Sequence, residues 1–261
     1  VAASKSADPY LPFENTTKGV KSHSSRAWRE VFQDDFKGDA LDPGKWRTRE
    51  QPPMGRRLCA TPDADMVRVR DGQAVLGIER SGKASKTCPH GVFKNAMIGT
   101  GEVTKPGFAT AYGLFAARLK FQSGRGQHGA FWLQGTGPNS AEIDTAEYYG
   151  EGRPDGGLST LVHKTADNGT LISAGGPRPE VPKILGQGNT PANGWHVWSV
   201  EWSPKGYVFR LDDTVTMRTK RNVASADEFI VLSLLTSDWE LPALNTAKST
   251  MNVDWVRAWQ H

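Results

Sequence analysis

At 261 residues the chain is long for one average domain, yet all-β sandwiches of this size commonly stand as one, and it can bury a large core. The net charge of +4 comes from scattered basic residues, clustered only at Arg56-Arg57 and from Arg218 to Arg221. No basic block interleaves with aromatics as in a nucleic-acid module, and no apolar run approaches the ~18 residues a spanning helix needs, so neither nucleic acid nor a membrane is an expected partner.

In chain order, residues 1–27 are polar, rich in Ser, Lys and Ala and weakly patterned, which predicts an extended arm ahead of a single domain over 28–261. From residue 31 short apolar runs alternate with turn signals every 8–15 residues, the spacing of a β-sandwich. Strands are expected at 31–36, 66–70, 73–79, 96–102, 112–120, 129–134, 141–149, 158–163, 196–202, 206–211, 229–236 and 251–259. Asp71-Gly72 is a tight-turn signal between the second and third. Segments 166–194 and 237–250 read as loops long enough to shape a binding site, and no stretch keeps a helical period over 12 residues.

Glu142-Ile143-Asp144-Thr145-Ala146-Glu147 carries three carboxylates in six residues, inside a segment that otherwise reads as a buried strand. Strands disfavour Asp and Glu, so a strand built only for stability would not hold all three. Residues 142 and 144 share a face by the period of two, but 147 joins them only if one extra residue is inserted. A β-bulge near Thr145-Ala146 would do this, turning Ile143 and Tyr148 to the other side. Two glutamates flanking an aspartate on a rigid strand suit glycoside hydrolysis, where one carboxyl is ionised and one protonated. The competing readings of such a triplet are a solvated edge strand or a metal site.

The hexapeptide resembles the ExDxxE signature of glycoside hydrolase family 16, laminarinase-like branch, and four further segments match in order between about residues 31 and 260. Val31 to Phe36 with Leu41-Asp42 and Trp46 resembles the opening strand and turn, and Tyr112 to Lys120 the strand two before the catalytic one. Trp195 to Trp202 resembles the "H-x-Y-x-x-E-W" strand and Met251 to Trp259 the closing strand. The resemblance implies an all-β antiparallel jelly-roll sandwich, concanavalin A-like, with an open concave substrate cleft. It implies a retaining enzyme in which Glu142 is the nucleophile, Glu147 the general acid and then base, and Asp144 the group that orients the nucleophile. Three acids this close cannot all ionise without cost, so one pKa must be pushed up, as an acid working near neutral pH requires.

A polysaccharide cleft needs aromatic platforms beside polar groups. Trp132 matches the cleft-facing tryptophan of the family's "AFWL" strand, Trp239 falls where a late strand leaves into a cleft loop, and His163 matches a histidine near the reactive subsite. His128 has a weaker claim. Trp198, Trp202, Trp255 and Trp259 lie inside apolar strands and read as core. No cofactor is expected for catalysis. A structural calcium on the convex face is implied, with Asp35, Asp254 and the backbone of Gly72 at the matching places. Cys59 and Cys88, the whole thiol inventory, lie in Pro-flanked loops and predict a disulfide of the kind an exported protein carries. The chain is accordingly expected to be a secreted monomer, and its opening on Val1 leaves a removed leader and a trimmed chain both open.

Departures from the family bear on substrate: His128-Gly129 replaces a Trp-Pro pair, Ala141 stands where Gly is common, and Ala116 replaces a Glu. A β-1,3-glucan is the leading substrate; a galactan or agarose-type hydrolase and a transglycosylase are the alternatives within the family. A lectin-like binding protein on the same sandwich is the alternative of a different class, and the presence of all three acids speaks against it.

Overall fold

The computed structural model describes residues 28–49, 59–102, 107–135, 137–236 and 248–261. The expected arm at 1–27, Trp239 and most of the 237–250 segment lie outside the described residues.

The strands are β1 (Arg29–Asp34), β2 (Arg47–Thr48), β3 (Ala60–Pro62), β4 (Val67–Arg70), β5 (Gln73–Gly82), β6 (Val92–Gly99), β7 (Gly113–Lys120) and β8 (Gln127–Gly135). They continue with β9 (Glu142–Tyr148), β10 (Leu158–Thr165), β11 (Leu171–Pro177), β12 (His196–Ser203), β13 (Gly206–Leu211), β14 (Thr214–Thr219), β15 (Glu228–Thr236) and β16 (Lys248–Gln260). One short helix, α1 (Val181–Leu185), sits between β11 and β12. Hydrogen bonding runs in the order β11-β10-β9-β8-β15-β6-β5-β16-β7-β12-β13-β14, so a continuous antiparallel sheet curves over itself into a jelly-roll sandwich. Among the described residues only the short β3 pairs parallel, on β6. Among the described residues no helix is long and apolar enough to cross a membrane.

The turn at Asp71-Gly72 forms as the sequence predicts, with φ of 54° and 69°. Positive φ at both central residues matches the strand twist, which is why Asp-Gly suits it. Every expected strand is present within a few residues. The segment 166–194 is a correction: it contains β11 and α1 as well as loop. β14 was likewise not expected. Both end the strand order; β11 is largely exposed and lacks the apolar alternation that marks a half-buried strand, whereas β14 carries only Val215 and Met217 as apolar residues. In β11 Leu171 is 64% exposed.

The two layers share one core. Phe131 and Leu133 of β8, Ile143, Ala146 and Tyr148 of β9, and Ile230, Leu232 and Leu234 of β15 meet Phe115, Ala117, Trp198, Val200 and Trp202 from the opposite layer. Burying each of these large side chains stabilises by about 1.5–3 kcal/mol, and the Trp202 indole N–H is satisfied by the Ala224 carbonyl at 3.1 Å. Trp198 and Trp202 are core residues as expected. Trp259 is buried instead in a second cluster with Leu114, Ala116 and Val197. Trp255 corrects the expectation, being partly exposed with the Arg257 guanidinium 5.1 Å from its ring.

Cys59 and Cys88 form the expected disulfide, with Cα atoms 5.6 Å apart. The bridge closes a sequence separation of 29 residues, a constraint on the unfolded chain worth about 3 kcal/mol. Replacing both cysteines by serine is expected to lower unfolding stability by about that amount, read as a lower urea midpoint. An unchanged midpoint would show that the tie carries no stability.

Candidate active site

β9 contains the bulge its acids require. Phe131 pairs with Ala146 but Trp132 pairs with Asp144, leaving Thr145 as the extra residue. On the other side Ser159 pairs with Glu147 and Leu161 with Asp144, so two residues of β9 face one of β10 there. Ile143, Ala146 and Tyr148 enter the core, and Glu142, Asp144 and Glu147 project from the opposite face. Flanking strands complete that face: Gln134 and His163 lie across from Glu142, and Ala130 across from Glu147. A cavity of about 1030 Å³ opens beside Glu142, bounded by Gln134, Asn139, His163, Asp167 and Leu171.

The three acids sit in different environments. Asp144 is 3% exposed, Glu147 9%, and Glu142 is the most open. Burial pushes the Asp144 carboxyl well above the usual range, and the neighbouring Glu147 and Glu142 charges push it further. Burial also pushes Glu147 up, but His128 at 2.8 Å, the Tyr149 hydroxyl at 3.2 Å and His163 pull harder and leave it below the ordinary glutamate range. The sequence predicts one raised carboxyl without deciding which, and only the resemblance gives that place to the acid. The structure attaches it to Asp144, because Asp144 is the more deeply buried while His128 and the Tyr149 hydroxyl hydrogen-bond Glu147.

A carboxyl whose folded pKa lies above its unfolded value destabilises the fold progressively as pH rises from the unfolded pKa to the folded one. Asp144→Asn, nearly isosteric and uncharged, is therefore expected to melt higher than the parent at neutral pH, with the gap shrinking toward pH 4, while its hydrolysis rate falls. A melting difference independent of pH would remove the basis for a raised Asp144.

His163 is partly exposed, with Nε2 3.5 Å from Asp144 Oδ2 and Nδ1 2.6 Å from Ser173 Oγ. Trp132 stands cross-strand from Asp144, its indole N–H donating to Ser233 Oγ at 3.2 Å. The Arg49 guanidinium lies 5.9 Å from its ring and donates to Gln134 Oε1 at 2.8 Å. His128, expected as a substrate contact, is 9% exposed, with its Nε2 2.8 Å from Glu147 Oε1. Sequence reasoning missed Tyr149, Arg49, Ser173 and Glu228. Tyr149 was findable, since it shares the face of 147 by the period of two. Glu228 is fully buried and accepts the Ala141 N–H at 2.8 Å, bracing the entry to β9; burial pushes it up to about 8. A burial of that kind leaves no mark in the local sequence.

The model of glycosyl hydrolases family 16 matches residues 60–257, most of the chain. This chain belongs to glycoside hydrolase family 16. A glucan endo-1,3-beta-glucosidase A1 of Niallia circulans is 24% identical over 265 residues, covering 88% of this chain and 37% of that protein. The chain thus spans little more than a third of that relative's length. A beta-glucanase of Rhodothermus marinus is 28% identical over 210 residues, covering 76% of this chain and 68% of that one. The laminarinase catalytic domain of Thermotoga maritima superposes with a TM-score of 0.71 at 18% identity, over 90% of this chain and 99% of that domain. At that identity the likeness is one of fold.

Two features distinguish this family 16 chain from the pattern the sequence resembles. A Cβ at Gly129 would fall 2.2 Å from the Gln122 amide oxygen and 2.8 Å from the Phe121 ring, so the family's proline does not fit there. The second concerns calcium, which takes six to eight oxygens. Strand pairing brings Asp35, Gly72 and Asp254 to one corner, with Asp34 opposite Val256 and Ala74 opposite Val253. There Asp254 is ion-paired to Arg118 and Asp35 to Arg257, the latter at 3.0 Å. The two guanidiniums already balance both carboxylates, and a divalent ion among them would meet like charge. These residues do not fit the expected calcium site.

Proposed function

We propose that this chain is a secreted, monomeric, retaining endo-glycoside hydrolase acting on β-1,3-glucan, its catalytic unit beginning near residue 28. The observation that carries the reading is the single face of β9 on which the bulge at Thr145 aligns Glu142, Asp144 and Glu147. The glucan preference leans on the two curated relatives, whose names are those of glucanases, and export leans on the disulfide.

In this reading Glu142, the most open of the three acids, attacks the anomeric carbon while Glu147 protonates the departing oxygen. Glu147 then takes a proton from water as the water displaces Glu142, and two inversions give net retention. Asp144 has an oxygen within 4.8 Å of one from Glu142 and of a His163 ring nitrogen. Held protonated by its burial, it adds no second negative charge beside the nucleophile. Trp132 offers a flat apolar face to a sugar ring, and His163 aligns Asp144.

The test is reducing-sugar release from laminarin, lichenan, agarose and a charged galactan, with NMR of the first-formed anomer. Short oligomers from laminarin with retained configuration are expected. Release from a galactan alone would overturn the glucan assignment, an inverted product would overturn the mechanism, and binding without release would favour a lectin-like role. Transfer products dominating over hydrolysis would favour a transglycosylase.

A further inference from the structure

His128 contacts the carboxylate of Glu147 and the ring of Tyr149. It lies on β8, one residue before Gly129, which pairs with Tyr148. Its ring stacks on Tyr149 with centroids 4.5 Å apart and planes 9° from parallel. Its Nε2 is 2.8 Å from Glu147 Oε1, the same oxygen that accepts the Tyr149 hydroxyl at 3.2 Å. A residue that only filled space would present carbon to a 9% exposed carboxylate; this one presents a titratable nitrogen. The charged and titratable groups around the pair are Asp144 on the same strand, His163 from β10, and Tyr149, whose ring has the Arg153 guanidinium at 5.5 Å. From β15 the residues opposite 127 and 128 are Thr236 and Leu235, which bring no charge.

We propose that His128 is a positioning residue that holds the proton of the general acid: in the resting enzyme the proton resides on the imidazole, and it passes to Glu147 as the glycosidic bond breaks. This rests on Glu147 being the acid. The steps balance. The Nε2 proton of His128 passes to the Glu147 carboxylate and on to the aglycone oxygen, which leaves with the C–O bonding pair, so Glu147 ends the step as a carboxylate and the imidazole as neutral. In the second step Glu147 takes a proton from the attacking water and the proton returns to His128. The stack on Tyr149 fixes the ring plane, so the nitrogen stays at the carboxylate throughout. The pair then loses its last proton in the range of an imidazole, not of a carboxyl, and hydrolysis extends to higher pH than a lone glutamic acid permits.

Two variants separate this from a structural role. His128→Phe keeps the stack and removes the proton; His128→Gln keeps a donor that does not titrate. Each is expected to lower kcat on polysaccharide by about 10–100-fold with KM little changed. Each should also move the alkaline limb of kcat/KM toward acid by about one pH unit or more. Glycosylation by a dinitrophenyl oligoglucoside, whose leaving group needs no proton, should stay within about threefold of the parent. Equal losses on both substrates with an unmoved pH profile would overturn the proposal, as would no loss on either. Should both variants fail to fold, NMR titration of histidine rings in the parent and in Glu147→Gln decides it. The His128 midpoint is expected to fall when its carboxylate partner is removed, and an unchanged midpoint would overturn the proposal. If Glu147→Ala lacks the leaving-group signature described below, the acid assignment itself fails; if that signature is present and His128 is inert, only this inference fails.

Discussion

Glu142→Ala is expected to abolish polysaccharide hydrolysis, with kcat lower by about 10⁴-fold or more, as loss of a covalent nucleophile does elsewhere. Azide should restore turnover, because the shortened side chain leaves room on the face from which Glu142 attacks. A small anion entering there displaces the aglycone once and gives the inverted glycosyl azide. Glu142 is the most exposed of the three acids and borders the cavity beside β9, so the anion has a path. NMR of the azide product is the deciding measurement. A retained product from this variant would require the roles of Glu142 and Glu147 to be exchanged.

Glu147→Ala should separate substrates by their leaving group. On polysaccharide, where the departing alkoxide needs a proton, a loss of about 10²–10⁴-fold is expected. On an aryl glycoside with an acidic phenol the first step should proceed near the parent rate and the glycosyl-enzyme should accumulate, because no base then activates water. Azide needs no such base; it should accelerate breakdown of that intermediate and yield the retained glycosyl azide. The variant also removes the 2.8 Å partner of His128 and the acceptor of the Tyr149 hydroxyl, so its circular dichroism should be checked against the parent. Equal loss on both substrates would rule out acid catalysis by Glu147.

A bulge near Thr145-Ala146 was legible without coordinates. Three acids and two core residues cannot be assigned to opposite faces of β9 unless one residue between Asp144 and Glu147 is extra, and the strand pairing shows that it is Thr145. The interior strands were legible for a related reason: burial on both sides demands apolar runs, and Phe131, Leu133, Ile230 and Leu232 supply them. The edge strands β11 and β14 were not, because an exposed edge places few constraints on its residues.

By itself, then, the sequence determined the all-β class, the disulfide pair and the common face of the three acids, through turn spacing, loop chemistry and strand alternation, while the layered jelly roll and the roles of the acids came from the resemblance to the family. Only the tertiary structure decided which acid is pushed up, that His128 lies against Glu147, and that Arg118 and Arg257 pair with the carboxylates where calcium was expected. These outcomes depend on burial and on charges brought within a few ångströms by strands far apart in the chain, such as Arg257 of β16 against Asp35 after β1. Electrostatic energies change steeply over such distances in a poorly solvated interior, and no spacing along one strand encodes them.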